Sequence, residues 1–557
     1  MESLLEKNWI IAEKKYDEII LQILANRGFL GTEKDPHVEE IINPSFDTGV
    51  HDPFLLPDMA KAVERIRGAK ERAEKIGIFA DYDADGVPGA ALMFRALQKI
   101  GVDTEIYIPT RADGYGLSQR GIDYLIEKGC ALIISIDLGI RNTVEAQYCQ
   151  DKMVDLIITD HHLPGDKIPD AFAVINPKLE KCVYPYQNLC GCGVAYKLIQ
   201  ALSSIFPEIS ESFLKWNLDL VALSTIADMV PLTGENRVFA KYGLDVMRKS
   251  RNLGLRELIV VSGIVPSKVD AYSVGFQIGP RVNTPGRIDH AVRSYELLTT
   301  NDVSKAKRDA ELLNVKNTER QKMMEKVFEE SLAQINLDKF QGKVIIVKGK
   351  WERGVLGPPA SRLTEKFYRP SFVFADEGDV LTGSARSVEG VHILDLIEKV
   401  SSSVEKFGGH SGAAGLTVKK ESFPAFVEAM TAVSNREIDE SLLVRKLFID
   451  AELDAFDINE RLYDKIDQLQ PFGLGNNKPI FVLRGVTLQD TRLVGSAKNH
   501  LSLRVCKDSK RLKSIFFNFS DKDLLHGDYD VAFYLNLDTW NGSSEVCLNI
   551  LDMRKHD

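Results

Sequence analysis

The stretch Asp81-Tyr82-Asp83-Ala84-Asp85-Gly86 puts three carboxylates within five residues, and their mutual repulsion is costly unless cations neutralise it. The pattern therefore points to a metal. D-x-D-x-D-G also opens an EF-hand loop, but that loop needs a bidentate Glu at its twelfth position, where this chain has Leu92. The segment also follows an apolar β-branched run, not a helix, so the EF-hand is set aside. A second cluster, Asp160-His161-His162, adds imidazole to carboxylate. Mixed oxygen and nitrogen donors suit Mn²⁺, or else Mg²⁺, better than Ca²⁺. Asp228, in ALSTIADMVPL, can complete the cluster from another side, although an Asp there is equally a helix-end residue before Pro231. Together these donors suffice for two cations, and two cations about 3.5–4 Å apart can drive in-line displacement at phosphorus. The leading chemistry is phosphoester hydrolysis by an activated water, with no protein nucleophile.

Such donors need a scaffold that gathers them. Apolar β-branched runs at 76–79, 105–108, 132–136, 156–159 and 173–175 alternate with amphipathic stretches such as 90–100 and 120–128. Runs apolar on both faces and joined by helices predict a parallel α/β sheet, whose ligands bind at the carboxyl ends of the strands. Three of the runs end in acid, at Asp81, Asp137 and Asp160. Residues 190–260 read as mainly helical, and 290–336 as a long polar helix whose charges are mostly solvated. A second α/β unit spans about 340–430, with strands at 344–347 and 371–374, a helix at 361–367 and the glycine-rich FGGHSGAAGL at 407–416. After PFGLG comes a strand-rich tail at the spacing of a small β-barrel.

The expected architecture is multidomain α/β. An N-terminal helical segment (1–60) precedes a parallel-sheet domain (61–289), a connecting helix (290–337), a smaller α/β domain (338–440) and an OB-like β-barrel (441–557).

Composition agrees with several folded domains. The chain has 557 residues, 44% hydrophobic and 27% charged, which excludes a single small module and a disordered or collagen-like chain. Seven cysteines are few and odd in number, so a disulfide framework is not expected; Cys190-Gly191-Cys192 has no second Cys/His pair to make a zinc site. The N-terminus MESLLEKNWI lacks a signal-peptide pattern, and no apolar run approaches a membrane span. A cytoplasmic protein without a membrane partner is expected.

The formal net charge of -10 means that any anionic substrate must be met by local positive charge. GPRVNTPGR offers Arg281, Asn283 and Arg287, GSARS offers Ser384 and Arg386, and IPTRADGYGL offers Arg111 with Tyr115 as a base-stacking ring. Any one of these arginines could equally be a surface ion pair. In the tail, Arg492, Lys498, Arg504, Lys507, Lys510, Arg511 and Lys513 face a single acid, Asp508, in the sequence, with His500, Phe516 and Phe517 nearby. That run is either a solvated face or a groove that tracks a single strand.

Taken in order, DYDADG, IDLG, TDHH and IADMVP resemble the four metal-site motifs of the DHH phosphoesterase family. GYGLS, LCGCGVAYKL, PLTGENR, GPRVNTPGR, GSARS and FGGHSGAAG are similar to the branch of that family that carries a DHHA1 domain and an OB-fold and degrades single-stranded DNA 5′→3′. The resemblance runs from about residue 75 to the C-terminus. It implies that Asp83 and Asp137, helped by Asp81, hold one divalent cation, and that Asp85, Asp137, His161 and Asp228 hold a second. It further implies that Asp160 orients His161 from behind and that His162 bonds the scissile phosphate. Arg111, Ser384 and Arg386 would form a 5′-phosphate pocket, and Gly408, Gly409 and His410 a phosphate-contacting loop.

The implied activity is exonucleolytic release of 5′-mononucleotides in DNA repair and recombination, with single-stranded DNA as substrate and a single-strand-binding protein or helicase as partner. Alternatives are a family phosphodiesterase on short RNA or cyclic dinucleotides, and a non-catalytic DNA-binding scaffold. The second lobe departs from the family pattern W-H-P-G-V-I-G-I-V-A-S-R-L: Glu352 stands where His is usual, and Pro358-Pro359 replace two apolar residues. These departures touch substrate handling, while every expected metal ligand is present.

Overall fold

The computed structural model describes residues 3–29, 36–110, 114, 116–335, 342–521, 527–538 and 544–556. The chain forms two compact units, one of Pro36–Glu319 with Leu469–Asn477, the other of Met1–Asp35, Arg320–Gln468 and Lys478–Asp557.

The first unit is built on five parallel strands, β2 (Lys75–Ala80), β3 (Thr104–Tyr107), β4 (Cys130–Ile136), β5 (Asp155–Thr159) and β6 (Ala173–Ile175), in the order β3-β2-β4-β5-β6. Alternation along β4 decides which face each side chain serves. Leu132, Ile134 and Ile136 join the core beneath the helices Gly86–Lys99 and Gly191–Leu202, and Ile133 joins the core beneath Gln119–Glu127 and Thr143–Asp151. Fully burying each such side chain contributes about 1.5–3 kcal/mol, so a one-residue slip in register would be strongly disfavoured. The chain reverses direction across the sheet between β2 and β4, the crevice where α/β sheets bind ligands. The Gly86–Lys99 helix begins four residues before the predicted 90–100 stretch. Gly-Val-Pro-Gly reads as a turn, yet proline is tolerated in a first helical turn, and Gly89 lets that turn lie against Ile136, whose Cγ2 is 2.7 Å from where a Cβ would sit.

The second unit holds two sheets of different kinds. β7 (Ile345–Gly349), β8 (Ser371–Asp376), β9 (Val380–Arg386), β10 (Lys406–His410) and β11 (Ala413–Lys419) form a mixed sheet in the order β10-β11-β9-β8-β7. The helix Gly357–Phe367 covers part of it and starts with Pro358 and Pro359 in its first turn. In the tail, β14 (Phe481–Val494), β15 (His500–Lys507), β16 (Lys510–Phe516), β18 (Glu545–Lys555) and β17 (Tyr529–Asp538) pair in turn, and β17 returns to β14, closing a five-stranded barrel. The short β13 (Ala451–Glu452) extends β14. Segment 1–60 does contain the helices Ile19–Asn26, Pro36–Ile42 and Phe46–Gly49, but it opens on a strand the sequence did not signal: β1 (Lys7–Ile11) pairs in parallel with β12 (Arg445–Ile449), and Trp9 Nε1 donates to Asp552 at 2.9 Å. A strand whose partner lies more than 400 residues away leaves no local signature. The long helix Val303–Gln334 buries Ala306, Ala310 and Leu313 at helical spacing in the core of the first unit. Among the described residues no helix is long and apolar enough to cross a membrane.

Candidate metal centre and substrate-binding loops

The acids that follow β2, β4 and β5 are set by the sheet itself. The backbone N–H of Asp81 donates to Ile136 O at 3.2 Å, that of Asp137 to Thr159 O at 2.9 Å and that of Asp160 to Ile175 O at 3.1 Å. Each acid is thus the rung that ends a ladder, and all three point into one rim. Past Asp81 the chain tightens: Asp83 Oδ1 accepts from the N–H groups of Asp85 and Gly86 at 2.9 and 3.0 Å. A Cβ on Gly86 would lie 2.5 Å from Asp81 O, so only glycine fits. Asp85, buried at the start of the next helix, accepts from Gly191 N at 2.6 Å and Cys192 N at 2.7 Å, the first free amides of another helix. Asp137 takes the left-handed backbone region, φ 64°, uncommon for a residue with a Cβ and frequent at functional sites. Asp228 closes the helix Leu218–Ala227, and Met229 behind it, φ 57°, turns the chain away.

These elements converge on His161. Its Nε2 is 3.1 Å from Asp137 Oδ1, 3.6 Å from Asp85 Oδ2 and 3.7 Å from Asp228 Oδ2. Three sets of side chains bring ligand atoms within 4.8 Å of one another: Asp81, Asp83 and Asp137; Asp85, His161 and Asp228; and Asp137, His161 and His162. Asp160 Oδ1 accepts from the backbone of His161 and His162 and lies 2.8 Å from His162 Nδ1, while Oδ2 accepts from Ile140 N. The carboxylate thus holds the backbone of His161 and both the backbone and the ring of His162. The two ring centroids lie 4.5 Å apart, with His162 Nδ1 3.8 Å from Asp137 Oδ1.

The electrostatics of this rim are those of a site built for cations. Burial first, and then the neighbouring Asp85, Asp83, Asp81 and Asp228, hold the Asp137 carboxyl well above the usual range. Burial and Asp85 push Asp228 up to about 9, and burial and Asp83 push Asp85 up to about 6. Burial pulls His161 down to about 3, leaving a neutral imidazole with a lone pair to offer. Burial is the largest single influence on His162 and opposes its charge, but the Asp160 hydrogen bond together with the charges of Asp160, Asp85 and Asp83 outweighs it and raises the ring's affinity for a proton.

Asp137 Oδ1 is buried and meets no hydrogen-bond donor. An acceptor left so among like charges costs several kcal/mol unless a cation sits before it. The donors fit divalent cations of the Mn²⁺ or Mg²⁺ kind. They are carboxylates and imidazole, and the nearby thiols of Cys190 and Cys192 are held protonated by burial first and then by Asp85.

The remaining predicted residues fall into separate groups. Asn283 Oδ1 accepts from Ala84 N at 2.7 Å, so this side chain clamps the acidic loop. Arg281 is tied through Nε to Asn314 and through Nη1 to Gln277 O, at 3.0 and 2.7 Å. Arg287 is half-buried beside Gly286, whose Cβ position lies 2.3 Å from Tyr82 O. In the second unit, Arg386 Nη1 donates to Ser384 Oγ at 3.1 Å and to Ala385 O at 2.8 Å. Gly357 leaves room beside them, its Cβ position being 2.8 Å from Arg386 Nη2. Gly408, Gly409 and His410 form the exposed edge strand β10, with open space in front of Gly408. Arg111 and Tyr115 lie outside the described residues. Glu352 is exposed, and Pro358-Pro359 are absorbed as the first turn of a helix.

On the barrel, Arg504 pairs with Glu545 at 2.7 Å, Arg511 with Asp490 at 3.2 Å, and Lys513 with Asp538. Three cations that the local sequence leaves unpaired are thus neutralised from other strands. Phe516 belongs to the core and stacks on Phe519, whereas Phe517 is exposed with His500 against its ring. Gly191, whose amide holds Asp85, was not among the predicted site residues; its only sequence signal was its place in LCGCG.

Three family models cover most of this chain: the DHH family, N-terminal domain at 75–225, the DHHA1 domain at 341–435 and the RecJ OB domain at 449–552. The chain is 34% identical over 543 residues to the single-stranded-DNA-specific exonuclease RecJ of Bacillus subtilis (strain 168), covering 96% of this chain and 67% of that protein. It is 33% identical over 471 residues to the enzyme of the same name from Escherichia coli (strain K12), covering 81% of each. The crystal structure of RecJ in complex with Mn²⁺ from Thermus thermophilus superposes with a TM-score of 0.84 at 26% identity, over 99% of this chain and 80% of that one. With the three domains in this order, and a third of all positions shared over nearly its whole length, this chain belongs to the RecJ family of DHH phosphoesterases.

Proposed function

We propose that this chain is a divalent-cation-dependent exonuclease that degrades single-stranded DNA 5′→3′ to 5′-mononucleotides, in the cytoplasm, during DNA repair and recombination. The observation that carries this reading is the buried, donor-free Asp137 oxygen at the centre of four further carboxylates and a neutral imidazole. Asp81, Asp83 and Asp137 would hold one cation, and Asp85, Asp137, His161 and Asp228 the other. When bound, two such ions, Mn²⁺ by preference or Mg²⁺, supply the charge and the activated water for in-line displacement at phosphorus.

The protein's own groups do the rest. The Gly191 and Cys192 amides fix both oxygens of Asp85, so its carboxylate needs no reorganisation when it is used. Asp160 accepts from His162 Nδ1 and favours the protonated ring, whose Nε2–H would then donate from this half-exposed side chain to a phosphate oxygen. Arg386 and Ser384 would take a terminal phosphate, and the open backbone at Gly408 and Gly409, with His410, neighbouring phosphates. Arg281 and Arg287 add charge near the acidic loop that Asn283 steadies. On the barrel, Arg492, Lys498 and Lys507 with His500 and Phe517 would track the strand. A single-strand-binding protein or a helicase is the partner that would supply such a substrate.

The test uses 3′-labelled DNA single strands and duplexes and short RNAs, 5′-phosphorylated, with Mn²⁺. Mononucleotides released from the 5′ end of single-stranded DNA are expected. Hydrolysis confined to short RNA, or cleavage starting in the interior, would overturn the proposal.

A further inference from the structure

Asp228 is held unlike its neighbours. Asp85 is gripped by two amides, but the Asp228 carboxylate meets no hydrogen-bond donor among the described residues, and His161 Nε2 stands 3.7 Å away. Its position therefore depends on its backbone, and that backbone runs into an irregular loop, 228–233, before the helix Gly234–Met247. The loop is shaped by groups distant in sequence. Pro231 O accepts from the Tyr186 hydroxyl and the Asn236 amide, each at 3.0 Å. Leu232 N donates to Leu474 O at 2.7 Å.

Leu474 belongs to the segment 469–477, which folds with the catalytic unit although the chain up to Gln468 and from Lys478 belongs to the other one. Arg237, buried, anchors this segment by donating to Leu469 O at 2.8 Å and Gln470 O at 3.0 Å. Asn476, also buried, closes it by donating to Leu469 O and Pro471 O, each at 2.8 Å. Gly473 and Asn476 exchange backbone hydrogen bonds at 3.0 and 3.1 Å. The resulting tight turn lies directly on the loop: a Cβ at Gly473 would come within 2.7 Å of Leu232 Cδ1, and one at Gly475 within 3.1 Å of Pro231 Cβ. Arg237 Nε also donates to Ile41 O at 2.7 Å, so its guanidinium ties the turn to the rest of the catalytic unit. A turn that merely joined a helix to a strand would not need two donors of a buried guanidinium and a buried amide on its carbonyls.

We propose that residues 469–477 are a strap that positions Asp228 for the cation it shares with Asp85 and His161. The proposal rests on the two-cation reading above. Its consequence is selective, because the strap bonds to and packs on the loop that follows Asp228, whereas Asp81, Asp83 and Asp137 are carried at the ends of other elements. Gly475 has φ 72°, a region closed to β-branched residues, so Gly475→Val must displace the turn and Pro231 with it. Asn476→Ala instead removes the closing bonds.

Calorimetric titration of Mn²⁺ into the full-length wild type should show two equivalents. Each variant should keep one equivalent at wild-type affinity and bind the other about tenfold more weakly, as is usual when a group supporting a ligand is lost. kcat should fall by a similar factor with KM for a single-stranded oligonucleotide unchanged. Variants that bind both equivalents as the wild type does, or that weaken both equally, would overturn the strap. Should either variant fail to fold, hydrogen exchange on the wild type decides. Coupling is reciprocal, so saturating Mn²⁺ should slow exchange at the Leu232, Gly473 and Asn476 amides, and unchanged rates there would overturn the proposal. A wild type that takes up no Mn²⁺ would overturn the nuclease reading itself, whereas normal uptake with unaffected variants sinks the strap alone.

Discussion

Gly191→Ala tests the centre from behind. A Cβ at Gly191 would stand 2.5 Å from both Cβ and Oδ1 of Asp137 and 2.6 Å from its Cγ. Ordinary van der Waals contact begins near 3.4 Å, so one side must give by about 0.9 Å. The helix cannot easily recede, because its first amides hold Asp85 at 2.6 and 2.7 Å. Asp137 cannot easily advance, because His161 Nε2 is 3.1 Å in front of it. A displacement of about 1 Å in a reacting constellation costs about a hundredfold in rate, or about 2.7 kcal/mol. Alanine is the better helix former, so the loss is not expected to come from the helix. Single-turnover degradation of a 3′-labelled single strand at saturating Mn²⁺ measures it, with Gly193→Ala as control. There the added methyl meets nothing closer than 3.5 Å, and activity within about twofold of wild type is expected. Gly191→Ala turning over within threefold of wild type would refute the geometry.

Other expectations follow from the same structure. Asp137→Ala should abolish Mn²⁺-dependent hydrolysis while leaving single-strand binding in place. It should also lose the stabilisation of about 2.7 kcal/mol that Mn²⁺ at a hundred times its dissociation constant would confer on the wild type, read as a shift in melting temperature. Replacing Arg492, Lys498 and Lys507 together by Gln should lower the slope of log binding constant against log salt by roughly 2, at about 0.7 per phosphate contact on a single strand. Substitution is the cleaner test here, since truncation near 445 would also strip 469–477 from the catalytic unit. Glu235→Ala should cost about 3–5 kcal/mol, seen as a lower denaturation midpoint, because it leaves Lys197 buried without its carboxylate at 3.0 Å and removes the acceptor of the Tyr184 hydroxyl.

What the amino-acid sequence determined on its own is local chemistry. Apolar runs ending in Asp81, Asp137 and Asp160 announce acids at the rim of a parallel sheet, because strand patterning and the residue after it are both read within a few positions. The donor types, carboxylate and imidazole without thiolate, likewise choose the class of cation before any folding is considered. Tertiary structure alone decided the rest. The left-handed turn at Asp137 and the contact of Asp160 with the ring of His162 arise where neighbouring strands end together. Arg504, Arg511 and Lys513 look unpaired along the chain and are neutralised by Glu545, Asp490 and Asp538 from other strands or bends of the barrel. β1 finds its partner at Arg445–Ile449, and the loop after Asp228 finds one at Leu474, which accepts from Leu232 N. Each of these depends on closing a long loop of chain, whose outcome is set by the summed burial of two whole units, and no short window of residues encodes that sum.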